Sequence, residues 1–120
     1  MIDLKALRPY LMAKPEATED LPFGPDALVF KVMGKMFALV AWHETPLRLT
    51  LKCDPDYALA LRDHYEAVQP GYYMNKRHWN TLTLDGTIPQ DEVWGMVDLS
   101  YELVVKGLKK DLRQKLEAGL

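Results

Sequence analysis

One cysteine, Cys53, is all that the 120 residues contain. A lone thiol cannot form an intramolecular disulfide, which fits a reducing compartment. Long apolar runs are missing too. The longest, Met36 to Trp42, has seven residues, against the roughly 20 that a bilayer-crossing helix needs. The opening Met1-Ile2-Asp3-Leu4-Lys5 lacks the apolar core of a secretory signal. A cytoplasmic location without a membrane partner is the expectation. An excess of one charge is absent: 15 Lys and Arg stand against 17 Asp and Glu. That balance argues against binding nucleic acid by bulk charge and leaves only a local basic patch. His43, His64 and His78 never fall three or four residues from one another or from Cys53, so no zinc template is present. There is no Walker loop, dinucleotide fingerprint or nucleophile elbow. No metal, cofactor or nucleophilic catalysis is therefore expected.

What the chain does have is enough apolar content, 48%, for one domain with a real core. The domain is expected to span 1–120, with its core over about 3–108 and a charged tail over 109–120 that forms a short final helix or frays. Leu4, Leu7 and Leu11 make the stripe of a first helix over Asp3 to Ala13, with Asp3 as its cap. Pro9 should kink that helix or delay its start. From Thr18 to Cys53 the period becomes two. Leu28–Met33 and Met36–Trp42 read as strands joined by Gly34-Lys35, a type II′ hairpin with glycine first. Leu47–Lys52 alternates, placing its leucines inward and Arg48, Thr50 and Lys52 outward.

Asp54-Pro55 opens a second helix, with Ala58, Leu61 and Tyr65 as its apolar stripe. Pro70-Gly71 breaks the chain. Trp79–Leu84 is a further strand with Trp79, Thr81 and Thr83 on its outer face. Pro89 starts the longest helix, to about Leu108, on a stripe of Val93, Val97, Tyr101, Val104 and Leu108 with Met96 and Leu103 beside it. The order predicts an α+β fold: an antiparallel sheet of five or six strands with helices mainly on one face.

Met12-Ala13-Lys14-Pro15, Leu51-Lys52-Cys53-Asp54-Pro55, Met74-Asn75-Lys76-Arg77-His78-Trp79-Asn80-Thr81 and Leu84-Asp85-Gly86 follow one another at the spacing of the MmcQ/YjbR-like family, which the chain resembles from about residue 3 to 108. The resemblance implies a fold like that of the bacterial frataxin homologue CyaY, and a DNA-binding role with the sheet hairpins as a double wing. Frataxin-like iron binding would need an acidic ridge on the first helix and following strand. Here Asp3 is the first helix's only acid, and Glu16, Glu19 and Asp20 are scattered, which does not suit a hard cation.

The segment Asn75-Lys76-Arg77-His78-Trp79 is the candidate interface. Lys76 and Arg77 suit phosphates, Asn75 a base edge or backbone, and Trp79 stacking. Arg48 and Lys52 would extend the basic surface, with Lys31 or Lys35 at a hairpin tip. Each has a structural alternative. Asn75 could cap a turn, His78 could bond a carbonyl, Trp79 could be core, and the cations could be solvated. Cys53 precedes a helix start, where a thiol pKa can fall, although Asp54 opposes that. Two other uses stay open: an interaction module that docks a protein on the sheet face, and a small-ligand cleft beside Tyr72, Tyr73, His78 and Trp79.

Overall fold

The computed structural model describes residues 1–71 and 74–118. In chain order the elements are α1 (Leu4–Met12), β1 (Ala17–Asp20), β2 (Leu28–Val32), β3 (Lys35–Ala41), β4 (Arg48–Lys52), α2 (Pro55–His64), β5 (Val68–Pro70), β6 (Trp79–Thr83), α3 (Gln90–Lys106) and α4 (Lys110–Ala118). The strands form one open sheet in the order β1-β2-β3-β4-β6-β5, every neighbouring pair antiparallel. The α+β expectation holds, with six strands.

Alternation decides which residues enter the core. Leu28, Phe30, Ala38, Val40, Leu49, Leu51 and Leu82 lie in cross-strand register and join one buried cluster with Leu7 and Leu11 of α1, Ala58 and Leu61 of α2, and Val93, Met96, Val97 and Val104 of α3. Residues one step out of phase, among them Leu39, Thr50 and Thr81, pair with one another on the opposite face. In α3 the buried stripe includes Ser100, which the apolar pattern passes over, while Tyr101 and Leu103 are only half-buried.

The Asp3 cap and a final helix in the tail match expectation, while other local readings need correction. Helix α1 starts at Leu4 and runs through Pro9. Its start is capped by the Asp3 carboxylate, which accepts from the Ala6 N–H at 3.0 Å. The first hairpin turns on Met33-Gly34, not Gly34-Lys35. Both residues have positive φ, 48° and 81°, the mark of a type I′ turn, and Lys35 begins β3. Pro89 is the N-cap of α3 rather than its first helical residue. The charged tail forms α4, whose Leu116 is buried in the core. Strands β1 and β5 are short edges that hydrophobic patterning does not mark.

Helices α1 and α3 are tied by a polar cluster. The Asp98 carboxylate accepts from the Tyr10 hydroxyl at 2.7 Å and pairs with Lys14, while Tyr10 stacks on Trp94 at 4.2 Å. Burial and the bond to Asp98 push the Tyr10 pKa up to about 12. Burial alone would raise the Asp98 pKa, but the hydrogen bonds from Lys14 and Tyr10 outweigh it and hold it below the usual carboxylate value. A carboxylate depressed in the folded state stabilises it above the unfolded pKa of about 4, and that contribution is lost as pH falls through the folded value. Chemical denaturation at pH 5 and pH 3 should therefore show Asp98→Asn losing less stability on acidification than the parent. Equal losses would mean that the cluster carries no pH-dependent stability.

Candidate nucleic-acid interface

The turn before β6 is built by hydrogen bonds, several of them long-range. Asn75 does what its structural alternative requires, its Oδ1 accepting from the Arg77 N–H at 3.0 Å. The His78 N–H donates to the Asn75 carbonyl at 3.1 Å, and the His78 carbonyl accepts from the Cys53 N–H at 2.8 Å. Arg62 of α2 then reaches across. Its Nε donates to Asn80 Oδ1 at 2.7 Å, and its Nη2 bonds the Lys76 carbonyl. Asn80 is 1% exposed and also donates to the Ala58 carbonyl at 3.3 Å. Arg62 and Asn80 are thus the side chains that anchor the turn. Neither stands out in the sequence, because their partnership joins a helix to a strand 18 residues away.

Gly71 completes the scaffold. Its N–H donates to the Trp79 carbonyl at 2.8 Å, and a Cβ there would stand 2.7 Å from Trp79 Cβ. No side chain fits that approach without a backbone shift. Tyr72 and Tyr73, part of the ligand-cleft alternative, lie outside the described residues.

The side chains of the candidate interface then fall into two places. Lys52 pairs with Trp79 in the β4–β6 register, on the face opposite the helices, and both are half-buried. Lys76 and Arg77 are exposed on the turn beside them. Lys76 Nζ lies 3.5 Å from the Gly71 carbonyl. Arg48 lies at the other end of β4, roughly 13 Å away along an extended strand. Its guanidinium is 3.8 Å from the Glu44 carboxylate. Lys52 and Trp79 thus share a register position next to the turn that bears Lys76 and Arg77, and Arg48 stands apart.

Between the two ends lies a cavity of about 490 Å³ lined by Phe23, Leu39, Thr50, Met74 and Thr81 together with Arg48 and Glu44. Phe23 and Met74 carry no periodic signal. They reach the cavity through loops whose path only the tertiary structure reveals.

Burial and the Asp54 charge push the Cys53 thiol up to about 11, so the thiol stays protonated at neutral pH. Glu19 accepts a 2.8 Å hydrogen bond from Arg8 Nε. Among the described residues no three His, Cys, Asp or Glu side chains are placed to hold a metal ion, and no helix is long and apolar enough to cross a membrane.

The geometry meets known proteins at this point. The YjbR family model matches residues 12–103. YjbR of Escherichia coli K12 is 34% identical over 113 residues, covering 94% of this chain and 96% of that protein. YyaQ of Bacillus subtilis is 33% identical over 76 residues, 63% of each chain. The crystal structure of Deinococcus radiodurans DR2400, a DUF419 domain, superposes with a TM-score of 0.91 at 41% identity, covering 98% of this chain and 89% of that one. A Pseudomonas syringae crystal structure superposes at 0.74 with 25% identity, covering 85% of this chain and 98% of that one. With the family model spanning the whole sheet and most of α3, and the Escherichia coli relative alike over nearly its full length, the chain belongs to the YjbR family.

Proposed function

We propose that this protein binds DNA through the 75–79 turn and the adjoining end of the helix-free sheet face. The observation that carries the reading is the Lys52–Trp79 pair in register on that face, beside exposed Lys76 and Arg77. Cations next to an indole provide charge for phosphates and a surface for stacking or wedging against bases. Asn75 and His78 shape the turn, with Asn75 presenting its amide at the nucleotide edge. Arg48, four residues along β4 and shared with Glu44, contacts a more distant phosphate. The net charge of −2 makes the local patch, rather than bulk attraction, the source of affinity. The frataxin-like reading of the fold belongs with this proposal, supported by helices on one face of an antiparallel sheet. So does a cytoplasmic setting, supported by a single buried, unpaired cysteine.

Fluorescent duplex and single-stranded DNA, titrated from 50 to 200 mM salt, test the reading. Lys76→Ala/Arg77→Ala should weaken binding at least ten-fold at low salt. It should also lower the slope of log affinity against log salt by about 1.5, since each phosphate contact contributes roughly 0.7–0.9. Unchanged affinity in a folded double variant would remove the turn from the interface. Binding that vanishes at modest salt in both proteins would leave only generic electrostatics and turn attention to protein partners of the sheet face.

A further inference from the structure

The cavity on the helix-free face has a chemistry of its own, distinct from that of the 75–79 turn. Its floor is made by three adjacent strands: Leu39 and Ala41 of β3, Thr50 of β4 and Thr81 of β6. Thr50 and Thr81 are 4% and 5% exposed although no helix covers them. Their hydroxyls are hydrogen-bonded to each other at 2.8 Å, so the floor carries an already partnered hydroxyl pair among apolar side chains. Phe23 and Ala27 line it from the 21–27 loop, and Met74 from the segment before β6.

The loop wall is built rather than loose. The Trp42 indole N–H donates to the Pro25 carbonyl at 2.8 Å. Gly24, at φ +102°, makes the tight turn beside Phe23, with its N–H donating to the Leu21 carbonyl at 3.2 Å. This holds Phe23 at the cavity while leaving it 70% exposed. An apolar wall continuous with an apolar floor, broken by a few convergent polar groups, at about 490 Å³, matches the size and character of small-molecule sites.

Charge selects the occupant. Asp26 and Glu44 both line the cavity, against the single cation Arg48, which already faces Glu44. The rim therefore carries one uncompensated negative charge. We propose that this cavity is a binding site for a small amphipathic amine, with its ring-sized apolar body between Phe23, Leu39 and Met74 and its ammonium group at Asp26 and Glu44. The site stands apart from the 75–79 turn, because the occupant's contacts do not involve Lys76 or Arg77; Arg48, which also lines the cavity, is the residue that the two readings share.

Three probes of similar ring size and different charge test it on the isotope-labelled full chain by amide NMR: 2-phenylethylamine, 2-phenylethanol and 3-phenylpropanoate. The amine should bind saturably, with shifts concentrated at Leu39, Thr50 and Thr81, and at least ten-fold more tightly than the carboxylate. Phe23→Ser should weaken the amine several-fold. Asp26→Asn/Glu44→Gln should abolish the preference for amine over alcohol. All three replaced side chains are exposed, so the variants should keep the fold. Non-saturating shifts, equal affinity for all three probes, or amine binding unaffected by Phe23→Ser and by the double variant would each overturn the proposal. DNA titration of Phe23→Ser should be unchanged if the two sites are separate, whereas Glu44→Gln also releases Arg48 and is not used for that comparison.

Discussion

Replacing Ser100 by alanine is expected to lower the stability of the fold by about 2–4 kcal/mol, since each buried backbone group left unpaired costs roughly 1–3 kcal/mol. The reason lies in a bulge. Between β2 and β3 the register passes from Phe30↔Ala38 to Lys31↔Met36, leaving Phe37 as the extra residue that pairs with nothing across the strand. On its other side the β3–β4 pairing stops at Ala38↔Leu51. The Phe37 carbonyl and the Lys52 N–H therefore have no ladder partner, and Ser100 serves both. Its hydroxyl donates to the Phe37 carbonyl at 2.6 Å and accepts from the Lys52 N–H at 2.9 Å. The residue is fully buried, so water cannot readily take over. Urea denaturation of Ser100→Ala should show the loss as a lower midpoint at similar slope, and thermal melting should shift by on the order of 10 °C. A loss under about 0.5 kcal/mol, the range of unremarkable surface changes, would show that the two backbone groups find other partners.

The bulge also shows why some of this structure was legible in the sequence and some was not. The leucines of Leu47-Arg48-Leu49-Thr50-Leu51-Lys52 alternate because β4 is central, with a core on one face, and that pattern correctly sent Arg48 and Lys52 to the other. Asp54-Pro55 announced α2 because capping chemistry is local: the Asp54 carboxylate accepts from the Tyr57 N–H at 3.3 Å. The first hairpin was misplaced by one residue because Met33 takes a positive φ, a conformation sterically unfavourable for a side chain of its kind. Tertiary context overrode the local preference. Strands β1, Ala17–Asp20, and β5, Val68–Pro70, are edges too short for alternation to register. The interface string from Asn75 to Trp79 was readable as a cluster of chemical types. Its separation from Arg48 was not, because sharing a face says nothing about distance along a strand. Ser100, Arg62 and Asn80 act through partners 14 to 63 residues away, where no periodicity points.

The Arg62–Asn80 bond should prove to be the link that joins the scaffold to the proposed interface. Asn80 sits on β6 in register with Leu51 and faces the core side, where a strand would ordinarily carry an apolar residue. Its amide spans two neighbours, accepting from Arg62 and donating to the Ala58 carbonyl. Asn80→Leu is expected to cost about 2–3 kcal/mol, because hydrogen bonds to charged groups contribute roughly 1.5–3 kcal/mol and the guanidinium loses its acceptor. Arg62→Met frees the Lys76 carbonyl as well, so it should raise amide exchange across residues 76–79 as local opening becomes easier. A double-mutant cycle isolates the shared bond. If the two side chains act through one contact, the double variant should be more stable than the sum of the single losses predicts, with a coupling of about 1.5–3 kcal/mol. The turn bears Lys76 and Arg77, so Arg62→Met should also weaken DNA binding on the proposed reading, although its side chain need not touch a nucleotide. Additive losses would mean that α2 and β6 are stabilised separately. Coupled losses with unaltered exchange at 76–79 would confine the bond to stability and leave the shape of the turn to Asn75 and Gly71.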